Sequence, residues 1–332
     1  MEFKAQHIQK LHNNQGFDFD ETALQLFRYQ AQHNAIYKEY LQFLRVQPDQ
    51  VTQLHQIPFL PIEFFKTHQV VTNAVEPEII FYSSGTTQQT RSRHFVASLA
   101  WYNQVTENIF NQFYGPLQDY VVLALLPSYL EQGGSSLVAM VDYFVKRTGQ
   151  DEEGFYLNNH HKLLQSIKQA RQRGKKILLI GVSYALLDWA DKLKGREDFS
   201  GVTIMETGGM KGRRREMIRE ELHAQLMAGF GIKDGIHSEY GMTELLSQGY
   251  SLGDGIFHPG YTMRILLRDL NDPFDIGPHH RSGGINIIDL ANVDSCAFIE
   301  TKDIGKLHQN HTFEVLGRFD NSDIRGCNLL VL

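Results

Sequence analysis

Between Phe19 and Leu44 the apolar positions Leu24, Phe27, Ala31, Ile36, Tyr40, Leu41 and Leu44 return roughly every three or four residues, the spacing that puts one buried stripe on a helix. This predicts a helical lead-in over 1–56. Pro58 and Pro61 hold Ile57 and Leu60 out of the helical region, so IPFLPIEFF reads as an extended connector into a new unit. From Glu78 the pattern changes to short apolar runs, EIIFY, VVLALL, KKILLIG and VTIMET, bounded by turn residues. Such runs read as buried parallel strands. Helical stretches separate them, one with Tyr102, Val105, Ile109 and Phe113 on one face, another with Leu186, Leu187, Ala190 and Leu193. The class is α/β, with an α/β core over 57–254. After Gly255 the runs YTMRILLRD, GGINIIDL, CAFIETKD and FEVLGRF carry no helical period and predict a small, mostly antiparallel β subdomain over 255–316.

Composition narrows the function classes. The chain has 332 residues, 42% apolar and 21% charged, enough to bury a large core in about two domains. Its net charge of −6, with no basic tract longer than Arg213 to Arg215, speaks against nucleic-acid binding. The longest apolar runs fall far short of the roughly 20 residues of a membrane span. The opening MEFKAQHIQKLHNN has no apolar signal core, and two cysteines make no disulfide framework, so a cytoplasmic location is expected.

Three segments carry candidate chemistry. EIIFY runs into Ser83-Ser84-Gly85-Thr86-Thr87, followed by Arg91 and Arg93. Hydroxyls around one glycine expose backbone N–H groups as a phosphate-holding turn does, and the arginines suit phosphate oxygens. A hydroxyl-rich surface turn has the same composition; without a Gly-Lys-Ser/Thr the loop is not a Walker A. In His237-Ser238-Glu239-Tyr240-Gly241-Met242-Thr243-Glu244 the tyrosine offers a flat face, the threonine a hydroxyl and Glu244 a carboxylate for Mg²⁺. A strand-to-helix turn reads equally well there. Asp303, in Thr301-Lys302-Asp303, suits ribose hydroxyls or a plain turn, with Gly317-Arg318-Phe319-Asp320 beyond it.

Taken together and in this order, the segments resemble the core motifs of the adenylate-forming enzymes, the acyl-CoA synthetase and luciferase superfamily. Within it, YSSGTTQQTRSRH, LPSYLEQGGSSLV, ETGGMKGRRRE, HSEYGMTELLSQGYS and SDIRGCNLL are similar to the LuxE-type acyl-protein synthetases, over Ile57 to the C-terminus. The resemblance implies the fold of the superfamily's large domain, with mixed and parallel sheets, helices and the small β subdomain, and a vestigial or absent C-terminal lid. It implies ATP and Mg²⁺ as cofactors. Ser83, Ser84, Gly85, Thr86 and Thr87 would hold the phosphates near Arg91 or Arg93; Gly208, Gly209 and Met210 would lie along the adenine; Tyr240, beside Gly241, would stack on it. Thr243 would touch the α-phosphate, Glu244 would bind the metal, and Asp303 with Arg318 would hold the ribose. Cys327, in a hinge-like tail over 317–332, would accept the acyl group. A carboxylic, in these relatives fatty, acid is the implied substrate, and an acyl-accepting or reductase protein the implied partner.

Two departures stand out. The phosphate loop lacks a lysine after its threonines, and Lys302 occupies the superfamily's glycine position. The catalytic lysine of the usual lid has no counterpart. A free cysteine is only a few per cent thiolate at neutral pH, and Arg325 beside Cys327 would raise that fraction. Cys296, within a β run, reads as core. Two rival readings come from other residues. Gly181-Val182-Ser183-Tyr184-Ala185 after KKILLI is nearly a nucleophile elbow, with Asp275 and His279 in triad order; a turn with Ser183 as N-cap is the simpler account. The histidine pairs 160–161, 279–280 and 308/311 lack metalloprotease spacing. A non-enzymatic binding module on the same fold is the third alternative.

Overall fold

The computed structural model describes residues 2–12, 16–84, 91–127, 134–149, 154–157, 159–208, 215 and 217–319. Helices α1 (Glu2–His12), α2 (Phe19–His33) and α3 (Ala35–Phe43) open the chain. Asp18 starts α2 by accepting from the Glu21 N–H at 2.9 Å, and Asp20 and Glu21 complement the positive helix end. Asn34 then serves two helices: its N–H closes α2 on Gln30 and its side chain caps α3 at Tyr37. Strand β1 (Leu60–Pro61) and the short α4 (Phe64–Thr67) realise the proline-bounded connector.

The α/β part follows as β2 (Ile79–Tyr82), β3 (Arg93–Val96), α5 (Leu99–Tyr114), β4 (Tyr120–Leu125), α6 (Ser136–Arg147), α7 (His160–Gln172), β5 (Lys176–Gly181), α8 (Ser183–Leu193), β6 (Val202–Glu206), α9 (Arg219–Phe230) and β7 (His237–Tyr240). The rest is strand: β8 (Gly249–Ser251), β9 (Phe257–Pro259), β10 (Met263–Arg268), β11 (Ser282–Asp289), β12 (Phe298–Leu307) and β13 (Phe313–Arg318). Among the described residues eleven strands form one sheet, ordered β10-β11-β12-β13-β9-β8-β7-β6-β5-β4, with β1 joined to β12. Strands β4 to β7 are parallel, and every residue of β4 is buried, as helix-covered parallel strands require. From β7 to β10 the ladder is antiparallel, so the texture change after Gly255 marks a change of strand direction within one continuous sheet.

EIIFY departs from the parallel reading. It is β2, and it pairs antiparallel with β3 in a separate two-stranded sheet, Ile79 opposite Val96 and Tyr82 opposite Arg93. The reason is length: the connection 83–92 is shorter than the dozen or more residues a parallel crossover needs, so the chain returns as a hairpin.

The turn between β11 and β12 joins the whole assembly. His7 of α1 meets the Leu290 carbonyl at 2.8 Å, Gln30 of α2 donates to the carbonyls of Asn292, Val293 and Ser295, and Trp101 of α5 donates to Ala291. The helical lead-in is thereby tied to the far half of the sequence. Cys296 sits in this turn, fully buried, its thiol pushed up to about 12 by burial, which makes it a core residue. Among the described residues no helix is long and apolar enough to cross a membrane.

Candidate active site

The β2–β3 hairpin presents the hydroxyl-rich loop. Ser83 closes its base, donating its N–H to the Ser92 carbonyl at 3.1 Å and accepting the Ser92 N–H on Oγ at 2.9 Å. Gly85, Thr86 and Thr87 lie outside the described residues. The two arginines part company. Arg91 faces the cavity described below, whereas Arg93 is held in the ladder opposite Tyr82, its guanidinium 5.6 Å from the ring centre of Phe95 on the same strand face.

Beneath the hairpin, the ends of β5 and β6 supply a buried anion. Glu206 is 3% exposed. Burial alone would raise its pKa, but hydrogen bonds from His223 and Ser238, the nearby Arg219 and the Gly208 N–H outweigh it and hold the carboxyl below its usual range. Gly208, at φ +72°, turns the chain so that its N–H reaches Glu206 Oε2 at 2.6 Å. Gly209 and Met210 lie outside the described residues. Ser183 donates to the same oxygen at 3.0 Å, and this disposes of the nucleophile elbow. Ser183 is the first residue of α8, the N-cap being Val182, so the capping reading fails as well. Asp275 and His279 do meet, at 3.1 Å, but on the loop between β10 and β11, at the opposite end of the sheet from β5. With His280 they form an exposed cluster within 4.8 Å.

Strand β7 and the turn after it carry the second motif. Alternation sends Glu239 and Tyr240 to opposite faces. Tyr240 packs between Phe257 and Phe313, with ring centroids at 5.8 and 5.3 Å, and donates its hydroxyl to Asp303 Oδ2 at 2.9 Å. Its ring is taken up by these neighbours and does not line the cavity. Gly241, Met242 and Thr243 do line it. Glu244 turns behind the wall, 4% exposed; burial raises its pKa, opposed by a hydrogen bond from Ser92 and by Arg318 and Lys66. The backbone of this turn is held by residues that no motif announced. His94 on β3 approaches the Thr243 carbonyl at 2.8 Å, Asn292 donates to the Glu244 carbonyl at 2.9 Å, and Asp289 accepts the N–H groups of Leu246 and Ser247. Burial pushes His94 down to about 4, which keeps the imidazole neutral.

The third segment closes the site. Asp303, on β12, has its pKa raised by burial, with Arg318 and Tyr240 acting against the rise; Arg318 Nε lies 3.7 Å from its carboxylate. Thr301 is structural, its hydroxyl donating to the Ile285 carbonyl at 2.7 Å. Lys302 points away and pairs with Glu63, so a lysine at this position leaves Asp303 undisturbed. The outcome is one cavity of about 320 Å³ lined by Ser83, Ser84 and Arg91, by Thr207 and Gly208, by Glu239, Gly241 and Thr243, and by Arg318. Tyr102, Leu137, Met140 and Gln248 complete the wall. Cys327 lies outside the described residues. Sequence reasoning missed Glu239 and Gln248; Glu239 faces the cavity by the alternation of β7, and Gln248 enters it from the turn just before β8.

No family model matches the chain, and no curated protein matches it. Solved structures do. A 2-hydroxyisobutyryl-CoA ligase, in the postadenylation state with its acyl-AMP, superposes with a TM-score of 0.63 at 13% identity over 90% of this chain and 67% of that one. The same ligase in an open conformation with acyl-AMP and CoA gives 0.61 over 91% and 74%. ATP-bound MatB from Rhodopseudomonas palustris gives 0.52 at 17% identity over 72% of this chain and 47% of that one. The chain has the adenylate-forming fold. It spans about half the length of MatB and two thirds of the hydroxyisobutyryl-CoA ligase.

Serine and threonine hydroxyls, Arg91 and Arg318 all stand in the lining of the cavity, groups that suit the oxygens of an anion. Glu244 is a desolvated carboxyl one residue beyond the cavity-lining Thr243. Its side chain is buried behind the wall and is not part of the lining, so in this arrangement it does not reach a phosphate held in the cavity, contrary to the metal role its motif implied.

Proposed function

We propose that the chain activates a carboxylic acid with ATP and passes the acyl group to a thiol, in the manner of the acyl-protein synthetases it resembles. One observation carries this reading: segments from Ser83 to Arg318 line a single cavity whose wall includes two arginines and several hydroxyls. The carboxylate oxygen of the acid attacks the α-phosphorus of ATP, the bond to the β-phosphate oxygen breaks, and acyl-AMP and pyrophosphate result. Ser84 and Thr243 donate to phosphoryl oxygens, and Arg91 and Arg318 offset the charge that builds on them, which is the largest kind of catalytic contribution available to such a site. Glu206 keeps the Gly208 turn in shape beside the nucleotide. Mg²⁺ bound with the ATP would supply further positive charge to the phosphates. In the second step a thiolate sulfur attacks the acyl carbonyl, the thioester C–S bond forms, and AMP leaves with the bonding electron pair. We assign the thiol to Cys327 on its motif; the acid is a fatty acid in the resembling proteins, and a reductase or other protein would be the final acceptor.

Pyrophosphate release measured across carboxylic acids of graded length tests the first step. The expected result is release that needs both ATP and an acid, and a Cys327→Ser chain that still releases pyrophosphate but holds no thioester-linked label. Ester cleavage without nucleotide, or nucleotide binding with no release for any acid, would overturn the reading in favour of a hydrolase or a binding module.

A further inference from the structure

One wall of the cavity is not the featureless apolar surface that an alkyl chain would fill. Strands β7 and β8 are antiparallel neighbours with Glu239 opposite Tyr250 and Tyr240 opposite Gly249, which puts Glu239 and Tyr250 on one face; just past the paired stretch, Gly241 sits between Glu239 and Gln248, a Cβ built on it coming 3.7 Å from Gln248 Cγ. Glu239, Gly241 and Gln248 line the cavity. Gln248 is 3% exposed. Its Nε2 donates to the Leu246 carbonyl at 3.0 Å, which fixes the orientation of the amide, and its Oε1 is left buried without a donor among the described residues. The Tyr250 hydroxyl, on the strand face that carries Glu239, is also buried and unpartnered there. The carboxyl of Glu239 has no hydrogen-bond partner among the described residues and leans over Gly241, where a built Cβ would come 2.4 Å from its Oε1. Burial, and the negative Glu206 behind it, push Glu239 up to about 8, so at neutral pH it carries a proton and both donates and accepts.

Buried acceptors without donors are costly and rare in folded proteins, and a cavity with one in its wall, Gln248 Oε1, beside the Glu239 carboxyl suits a ligand that supplies the missing hydrogen bond. A methylene chain supplies none. A hydroxyl supplies both halves: its proton goes to Gln248 Oε1 and its oxygen accepts from the Glu239 carboxyl. We infer that Glu239 and Gln248 form a polar subsite selecting carboxylic acids that bear a hydroxyl on the acyl chain over their unsubstituted counterparts. This rests on the adenylation reading above and names the substrate class of the same site.

The test uses the full chain and measures kcat/KM for pyrophosphate release with 2-, 3- and 4-hydroxy acids against the unsubstituted acid of the same carbon number. The expected result is that at least one hydroxy acid exceeds its unsubstituted partner by tenfold or more, since a site that hydrogen-bonds a substrate hydroxyl rejects the analogue lacking it. In Gln248→Leu and in Glu239→Leu, each of which removes one hydrogen-bonding group from the subsite, that ratio falls toward one while release with the unsubstituted acid persists; Glu239→Gln, whose amide still donates and accepts, keeps it. Unsubstituted acids equal to or better than every hydroxy acid in the native chain would overturn the inference, as would a hydroxyl preference that survives in both Gln248→Leu and Glu239→Leu. Failure of every acid to give pyrophosphate would instead overturn the adenylation reading itself.

Discussion

Glu239 is an expensive residue to keep. An isolated carboxyl at a cavity wall destabilises the fold wherever it would ionise in the unfolded chain, and only Glu206, among the two acids, is surrounded by donors that make ionisation comfortable. The folded pKa of Glu239, about 8, exceeds its unfolded value of 4.5, so its stability contribution is intact below pH 4.5 and is lost as pH rises toward 8. Glu239→Gln is therefore expected to melt higher than the native chain at pH 8 and to match it near pH 4; a constant difference across thermal melts over this range would contradict the assignment. Arg318 is the converse case. Its side chain is 67% exposed and its ion pair with Asp303 is a surface one, worth little to the fold. Arg318→Ala should leave the melting temperature within about 1 °C while raising KM for ATP roughly tenfold or more, as loss of a charge-assisted hydrogen bond to phosphate does. At this scale Ser83, Thr243 and Arg318 could be singled out from local motifs, and all three line the cavity, whereas Asp303 does not. Glu206, Gln248 and Asn292 could not be singled out, because each acts through partners that only the folded chain brings near.

Between elements, the hydrogen-bonded turn from Leu290 to Ala297 does what no single motif does. It receives α1, α2 and α5 on one side and the 243–247 turn on the other. Asp289, at its start, is fully buried and accepts the N–H groups of Leu246, Ser247 and Ala291 and the Ser247 hydroxyl. Its removal strands those donors, so Asp289→Ala should lower unfolding free energy by about 3 kcal/mol in urea titration and depress adenylation as the Thr243 turn loosens. The periodic elements, α2, α5, α8 and the parallel strands, could be read from their spacing because a helix face or a buried run is written in consecutive residues. The direction in which EIIFY pairs could not, because an apolar run records burial and not its partner; the short link to Arg93 held the only hint.

For the molecule as a whole, two buried histidines set the acid side of stability. His7 and His94 are both lowered to about 4 by burial, from 6.5 when unfolded. The unfolded chain binds more protons than the folded one between these values, so stability is full above pH 6.5 and falls as pH drops toward 4, by up to roughly 3 kcal/mol per histidine. His7→Gln should flatten part of that slope in urea unfolding at graded pH. Two sheets bring distant motifs to one cavity: the β2–β3 hairpin supplies Ser83, Ser84 and Arg91, while in the large sheet β7 carries Glu239, Thr243 follows it, and β13 brings Arg318 alongside. The most direct test of that shared cavity is exchange of labelled pyrophosphate into ATP. Exchange that depends on added carboxylic acid and collapses in Arg318→Ala is the result expected; exchange absent with every acid, or undiminished in the variant, would contradict it.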